Sequence, residues 1–441
     1  MLNESDLRNY QLKAIDYILE KKRCGLAIDM GLGKTVIALT AFMRLLDVKV
    51  KKLLVIAPLN VAKNVWGNEI ENWKHISHLS YSICCGNEKE RLEALKKDVS
   101  IYIINQENVE WMYDKGFHKY GMIIVDESHK FKNHASNRFK ALKKFTYNYI
   151  VLLSGTPMPQ GFIDIWPQQY LIDKGELLGK NITTYRTMYF RPNIHGFAFE
   201  CLYPRLISEK LTSSWMYMRG EDYLTLPDKI INTISVNIDN YDMYKEFEKE
   251  FYIQIKNEEL TAVNAGVLCN KLLQYCNGAV YNESRDYVEI HNNKLDMLEE
   301  LVNEHPEENI LVAFNFKSDE DRIKKRFHYA RTLNSKNIDN VKKAWDRGEI
   351  RLLLCQADSA EGLNLQNGGR VIIWFGLTWR MDSYKQFNAR LHRQGQTKPV
   401  IIYHLVSRKC KDETVMKVLS KKDTTQEDLF EVLKNEAVNQ V

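Results

Sequence analysis

The sequence predicts an α/β protein with two parallel-sheet lobes separated by a region of different character. Short, nearly continuous apolar runs alternate with longer segments of helical periodicity. Runs of this kind are typical of parallel strands that are buried on both faces. The rhythm stops near the middle of the chain and then returns, which indicates two lobes rather than one long sheet.

The predicted strands are short and rich in β-branched residues. In the first half they are Gly25–Ile28, Leu53–Ala57, Ile101–Asn105, Met122–Asp126 and Ile150–Ser154. In the second half they are Ile310–Phe314, Arg351–Gln356, Val371–Phe375 and Ile401–Val406. Right-handed crossovers between parallel strands would place helices on both faces of each sheet.

The region between the lobes, residues 162–294, lacks this strand rhythm and looks mostly helical after Asp239. The segment Leu226–Lys229 resembles a linker, because Pro227 disfavours helix in the residue before it. We therefore expect one domain at 1–225, which includes the start of a helical insertion. The second domain is expected at 226–441, with its own helical insertion at about 239–293.

Composition narrows the class of protein. A length of 441 residues suits two or three domains of roughly 100–200 residues. A formal net charge of +5 is only weak evidence for a polyanionic partner. The eight cysteines form no C-x-x-C pair, so we expect reduced thiols and no structural metal. No apolar run approaches a membrane span and the N-terminus lacks a signal-peptide pattern, so we expect a cytoplasmic protein.

A glycine-containing loop, Asp29–Thr35, follows the first predicted strand and leads into a helix. Its two glycines let backbone N–H groups approach phosphates at a helix N-terminus. Lys34 would contact the β- and γ-phosphates, and the Thr35 hydroxyl would bind Mg²⁺. The strict phosphate-loop pattern begins with a glycine where this chain has Ile28, so the loop alone leaves a plain glycine turn open.

Asp126 and Glu127 follow an apolar strand directly. Two carboxylates at the end of a buried strand are costly unless they serve a cation. Asp126 would hold Mg²⁺ through water, and Glu127 would orient and polarise the attacking water. A pair that merely caps a helix is the alternative. The phosphate loop upstream favours binding and hydrolysis of a nucleoside triphosphate.

Three further residues fit this chemistry less specifically. Gln11 precedes the first predicted helix, and its amide matches the donor and acceptor edge of adenine. Arg390 and Arg393 are three residues apart, which on a helix puts them on one face. Two guanidiniums on one face suit an anion, so we assign them as arginine fingers that close on a γ-phosphate. The alternatives are that Gln11 is an ordinary surface residue and that the two arginines belong to a basic surface helix.

Taken in order, these residues resemble the motifs of superfamily 2 helicases and, more closely, of the SWI/SNF family of double-stranded DNA translocases, particularly its compact phage and prophage members. The matching segments are Tyr10-Gln11, Asp29–Thr35, Ala57–Leu59, Asp126–His129, Ser154–Pro157, Gly362–Gln366 and Gln386–Gln396. The resemblance implies two RecA-like lobes in tandem, ATP with Mg²⁺ as cofactors, and DNA-stimulated ATP hydrolysis. A phage-encoded member would work in the cytosol of its bacterial host.

The resemblance also implies roles for individual residues. The ATP site would comprise Gln11, Asp29, Met30, Gly31, Leu32, Gly33, Lys34, Thr35, Gly362, Arg390 and Arg393. Residues that couple the triphosphate to nucleic acid would be His129, Ser154, Thr156 and Gln386. Contacts to nucleic acid would come from Pro58, Asn105, Ser318, Trp379 and Arg380. The segment Arg219–Asp222 matches the stretch that joins the two lobes in this family.

The resulting hypothesis is an ATP-driven motor that translocates on duplex DNA without sequence specificity. One alternative is a helicase that separates strands of DNA or RNA. Another is an ATP-gated clamp that holds DNA for a partner protein. Replication or recombination proteins of a phage or its host are the possible protein partners. We expect no membrane partner.

Overall fold

The computed structural model describes residues 1–192, 199–239, 241–257, 262–334, 337–357 and 363–424. The chain forms two compact units, one built from the residues up to Leu224 together with residues 422–424 of the described chain, and the other from Thr225–Lys421. In the described part of the chain, no helix is both long enough and apolar enough to cross a membrane.

The first unit contains a seven-stranded sheet in which every paired strand runs parallel. Its strands are β1 (Arg23–Ile28), β2 (Leu53–Ala57), β3 (Tyr81–Ile83), β4 (Ile101–Asn105), β5 (Met122–Val125), β6 (Tyr149–Ser154) and β9 (Trp215–Met218). They are arranged in the order β3-β4-β2-β5-β6-β1-β9. A separate antiparallel pair consists of β7 (Phe190–Pro192) and β8 (Phe199–Cys201).

Helices connect these strands. They are α1 (Asn9–Lys21), α2 (Lys34–Leu45), α3 (Leu59–Asn64), α4 (Trp66–Asn72), α5 (Glu88–Lys96), α6 (Val109–Asp114), α7 (Asn137–Leu142), α8 (Ile165–Asp173), α9 (Ile182–Tyr189), α10 (Pro204–Leu211) and α11 (Gly220–Tyr223). Short 3₁₀ turns lie at Glu4–Asp6, Gln106–Asn108, Ser128–Phe131 and Phe162–Asp164. Strands β2, β4, β5 and β6 are buried along their whole length, as expected for a sheet covered on both faces.

The second unit contains a six-stranded parallel sheet in the order β10-β17-β16-β13-β15-β14. Its strands are β10 (Lys229–Val236), β13 (Ile310–Phe314), β14 (Arg331–Thr332), β15 (Leu352–Gln356), β16 (Val371–Trp374) and β17 (Val400–Ser407), and β11 (Ala279–Tyr281) pairs with β12 (Tyr287–Glu289) in a hairpin. Its helices are α12 (Tyr241–Asn257), α13 (Ala262–Asn277), α14 (Asn293–Glu304), α15 (Lys317–Arg326), α16 (Ile338–Asp346) and α17 (Met381–Asn388), and residues 411–424 are also helical.

The two parallel sheets confirm the predicted α/β fold with two lobes, and each predicted strand is present to within two residues at either end. No strand was predicted within residues 162–294, yet β9 and β10 lie there and both join the main sheets. Both are edge strands that pair on one side only, and β10 is largely exposed. Strand β10 has polar residues among its apolar ones, so it lacks the continuous apolar run used to predict strands. Strand β9 is apolar but contains no β-branched residue, unlike most of the predicted strands.

A close contact between a ring and the backbone attaches β9 to β1. A Cβ atom on Gly25 would lie only 2.3 Å from the Trp215 ring, so a larger residue cannot occupy that position without moving the ring. The Trp215 indole N–H donates to Gln169 Oε1 at 2.9 Å, which satisfies its polar edge. Trp215 is therefore a packing residue of the sheet.

Candidate nucleotide-binding and hydrolysis site

The loop between β1 and α2 has the conformation expected of a phosphate cradle. Gly31 and Gly33 have φ values of +85° and +81°, a left-handed region that residues with a Cβ atom rarely adopt. A Cβ on Gly33 would also lie 2.4 Å from Nε2 of Gln11. The backbone therefore favours glycine at both positions, and a side chain at Gly33 would also have to displace the Gln11 amide. Helix α2 begins at the next residue, as predicted.

Gln11 lies inside the first turn of α1, so the prediction that it precedes the first helix is wrong. Its Oε1 atom accepts a hydrogen bond from the Arg8 N–H at 2.8 Å, which satisfies an N–H group at the helix start and draws Gln11 into the helix. Its Nε2 donates to the Leu32 carbonyl at 3.2 Å. A glutamine amide has two donors and two acceptor lone pairs, so one of each remains for an adenine edge.

Lys34 begins α2 with its ammonium group turned back towards the loop. Its Nζ donates to the Ile28 carbonyl at 2.7 Å. A Cβ on Gly155, just beyond the end of β6, would lie 3.8 Å from the same atom. The charge of Lys34 favours the ionised form of both Asp126 and Glu127; at Asp126 it opposes the larger effects of burial and of the Glu127 charge, which raise the pKa. One cation thus faces the ends of three neighbouring strands, β1, β5 and β6.

Asp126 is a buried carboxylate held on several sides. Its N–H donates to the Ile56 carbonyl of β2, and its own carbonyl accepts from Gln106 Nε2 at 2.7 Å. One carboxylate oxygen accepts from the Glu127 N–H at 3.0 Å, and the other accepts from the Trp66 indole at 3.1 Å. Burial, followed by the negative charge of Glu127, raises the pKa of Asp126 to about 6.

Glu127 starts a chain of contacts that runs from β5 to β6. Its backbone is left-handed, with φ of +46°, and its Oε2 lies 3.3 Å from His129 Nδ1. The same nitrogen lies 3.2 Å from Ser154 Oγ, which accepts the Thr156 N–H at 3.1 Å. Burial acts to raise the pKa of Glu127, but the His129 hydrogen bond and nearby positive charges outweigh it and lower the pKa.

The Thr156 hydroxyl is available to a water, ion or ligand in this pocket. Thr156 is 1% exposed, and within the described residues its Oγ1 has no hydrogen-bond partner. Buried hydroxyls without a partner are uncommon in native structures and usually indicate a water, ion or ligand. Together with the glycine cradle, Lys34 and the two carboxylates, it fits a nucleoside triphosphate carrying Mg²⁺.

Asp29 has a structural partner that the sequence did not suggest. Its carboxylate accepts the Gly220 N–H at 2.9 Å, and its own N–H donates to the Met218 carbonyl at 3.0 Å. The Tyr10 and Tyr223 rings are also in contact, with centroids 4.8 Å apart. The segment Arg219–Asp222, which the resemblance matched to the stretch that joins the lobes, and Tyr223 after it therefore pack beside the nucleotide loop and the start of α1.

Arg390 and Arg393 lie in turns, so their predicted place on one helix face is wrong. Helix α17 ends at Asn388. Beyond this end, the Arg390 carbonyl accepts a hydrogen bond from the Leu365 N–H. Arg390 is buried and donates to the Leu363 carbonyl at 2.9 Å, and the Arg393 guanidinium donates to Asn364.

These contacts place the last two predicted motifs side by side within the second unit. Gln396 Nε2 adds hydrogen bonds to the carbonyls of Gln366 and Gly369, both at 3.0 Å. The predicted coupling residue Gln386 is buried in α17, and His392 Nε2 lies 2.9 Å from the Pro227 carbonyl. Gly362, predicted for the ATP site, lies outside the described residues.

The residues predicted to contact nucleic acid are distributed over both units. In the first unit, Pro58 immediately precedes α3, and Asn105 is buried with its amide donating to Glu107. In the second unit, Ser318 is fully buried, Trp379 is half-buried, and Arg380 is exposed beside Asp382 at 2.7 Å. Their contacts to nucleic acid stay predictions.

The roles of Trp66 and Gln106 in supporting Asp126 were not predicted from the sequence. Gln106 directly follows β4, a position that could have suggested a role, since strand ends at one sheet edge converge. Trp66 is the first residue of α4, within the connection from β2 to β3, and no local signal marks it.

Comparisons with known proteins identify the family of this chain. Residues 10–277 match the SNF2-related domain, and residues 293–395 match the helicase conserved C-terminal domain. Protein p41 of Acyrthosiphon pisum secondary endosymbiont phage 1 is 32% identical, over 97% of this chain and 98% of its own length.

Two longer relatives are similar to this chain over part of their length. The ATP-dependent helicase MG018 of Mycoplasma genitalium is 26% identical, over 95% of this chain and 42% of its own length. The DNA repair and recombination protein RDH54 of Saccharomyces cerevisiae is 23% identical, over 89% of this chain and 48% of its own length. The chain therefore spans less than half the length of these two relatives. Since the first family model covers more than half of the chain, we conclude that the protein belongs to the SNF2-related family of helicase-like ATP hydrolases.

Proposed function

We propose that this ATPase is a motor that moves along duplex DNA, driven by ATP bound at the first unit and acted on by arginines of the second. The observation that supports this best is the chain of contacts from Glu127 through His129 and Ser154 to Thr156. This chain connects Glu127, which is assigned to hydrolysis, with Ser154 and Thr156 at the end of β6, which are assigned to coupling. A change at the bound phosphates can therefore be passed to a second ligand.

The residues of the first unit divide the chemistry among them. Backbone N–H groups of the glycine loop and the Lys34 ammonium bind the phosphates, while Thr35 and Asp126 hold Mg²⁺. Bound Mg²⁺ supplies charge neutralisation at the phosphates. Glu127, whose pKa is lowered, is ionised at neutral pH and accepts a hydrogen bond from the attacking water, which orients it.

The arginines of the second unit complete the proposal. Arg390 is anchored by the Leu363 carbonyl and Arg393 by Asn364, so both guanidiniums are positioned by the preceding motif. A guanidinium fork that reaches the γ-phosphate stabilises the charge that develops during transfer. Hydrolysis then requires closure of the two units, and each cycle of closure and opening advances the grip on DNA.

DNA as the substrate rests on the family and on relatives. The name of RDH54 assigns that protein to DNA repair and recombination, and the name of MG018 calls it a helicase. Motors of this kind grip phosphates rather than bases, so we expect binding that tolerates any sequence and weakens with salt. The logarithm of affinity should fall by about 0.9 per phosphate neutralised for each tenfold rise in salt.

The decisive experiment compares ATP turnover with duplex DNA, single-stranded DNA and RNA, with Lys34→Ala as the inactive control. We expect duplex DNA to stimulate turnover most and a third strand to be displaced from a triplex. Stimulation by single strands together with separation of a duplex would favour the helicase alternative. Full biological activity of a Glu127→Gln protein that binds ATP would favour the clamp. Salt-independent binding would contradict the assignment to nucleic acid.

A further inference from the structure

We propose that Trp66 is a positioning residue for magnesium, which it serves by holding the Asp126 carboxylate through its indole N–H. This inference rests on the proposed function, since that is where Asp126 is assigned to Mg²⁺. Trp66 is the first residue of α4, in the connection that follows β2, and 60 residues separate it from Asp126. Nothing in the motif pattern assigned it a role.

The two carboxylate oxygens of Asp126 accept hydrogen bonds from different donors. Oδ2 accepts the Trp66 indole N–H at 3.1 Å, and Oδ1 accepts the Glu127 N–H at 3.0 Å. Trp66 is completely buried and Asp126 is 7% exposed, so the contact is shielded from water. A carboxylate has about four lone-pair sites, so each oxygen keeps one for a metal or its water ligands.

The backbone of Asp126 is fixed as well, which leaves the side chain as the only part able to turn. The Asp126 N–H is bonded to the Ile56 carbonyl, and the Asp126 carbonyl accepts Gln106 Nε2. Without the indole, Oδ2 would lose its one directional restraint in the described structure while the rest of the residue stayed in place. Hydrogen bonds from such supporting groups orient metal-binding carboxylates, and removing them typically lowers metal affinity about 10–100-fold.

A second tryptophan of the same segment provides a matched control. Trp73 directly follows α4, is 6% exposed, and its indole donates to Glu69 Oε1 at 3.0 Å. Replacing either tryptophan by phenylalanine removes an indole–carboxylate hydrogen bond and a similar volume. Only the Trp66 bond reaches a residue of the site, so general loosening of α4 and loss of carboxylate positioning can be told apart.

The test compares Trp66→Phe with Trp73→Phe in the full chain. We measure the Mg²⁺ concentration that gives half-maximal ATP turnover and, independently of turnover, Mn²⁺ binding to the ADP complex by electron paramagnetic resonance. For Trp66→Phe we expect both metal affinities to fall about 10–100-fold. Its ADP affinity in EDTA should stay within about twofold of the unsubstituted protein, because the glycine loop does not depend on the indole.

The outcomes separate the alternatives. Equal metal affinities in the two variants, or a loss of metal-free ADP binding in Trp66→Phe, would overturn the inference. If Trp66→Phe does not fold, replacing Trp66 by benzothienylalanine keeps the bicyclic ring shape and removes only the N–H, and the inference then requires the same fall in Mg²⁺ affinity. Asp126→Asn tests the proposed function separately. Unchanged Mg²⁺ dependence in that variant would remove the metal assignment itself, whereas its loss alongside a normal Trp66→Phe protein would remove only the role of Trp66.

Discussion

Replacing Gly33 by alanine should damage both the stability of the first unit and its nucleotide binding. The left-handed backbone at Gly33, with φ of +81°, costs an alanine about 1–2 kcal/mol. The new Cβ would lie 2.4 Å from Gln11 Nε2 and displace an amide that makes two hydrogen bonds, worth about 0.5–1.5 kcal/mol each. We therefore expect a loss of about 2–5 kcal/mol in the free energy of unfolding.

Gly116→Ala is the matched control for the backbone contribution. Gly116 belongs to the same unit and has φ of +86°, but a Cβ there meets no described atom within 4 Å. Urea denaturation followed by circular dichroism should show Gly33→Ala to be less stable than Gly116→Ala by about 1–3 kcal/mol, the share due to Gln11. Titration with a fluorescent ATP analogue should show binding lost in Gly33→Ala and kept in Gly116→Ala. Equal stability of the two variants, with ATP binding intact in both, would refute the reasoning.

Two further predictions concern the second unit. Arg393→Ala should lower turnover by about 10³-fold or more while ATP still binds, because the guanidinium acts on the charge that develops during transfer; unchanged steady-state turnover would remove its role as a finger. His404 is fully buried, and burial lowers its pKa to about 4, so the unfolded chain binds a proton more readily between pH 6.5 and 4. Stability should therefore fall as pH drops, and between pH 7 and pH 5 the native protein should lose about 2 kcal/mol more than His404→Phe in urea titrations. Parallel pH profiles for the two proteins would show that His404 does not titrate in this way.

The parts of this protein that followed from sequence are those in which neighbouring residues determine the structure. A strand buried on both faces must be apolar along its whole length, so β2, β4, β5 and β6 could be read directly. The phosphate loop was equally local, since its glycines, lysine and threonine all lie within the five positions 31–35. Edge strand β10 carries polar residues and edge strand β9 contains no β-branched residue, which is why this pattern missed both.

The functional residues also divide into those that local sequence indicates and those that depend on distant contacts. Lys34, Asp126 and Glu127 could be assigned by residue type and by their positions after strands, because chemistry and local backbone together restrict the choice. The contact between Asp126 and Trp66 joins residues 60 positions apart, and no spacing rule predicts it.

Local sequence thus determined two parallel sheets, a phosphate loop and a pair of carboxylates at a strand end. Tertiary structure decided which distant groups meet them. It placed Arg390 in a turn bonded to Leu363, and it joined the Asp29 carboxylate to the N–H of Gly220, 191 positions later. The physical reason is that strand patterns depend on burial of adjacent residues, whereas these hydrogen bonds depend on how separate strands and their connections pack side by side.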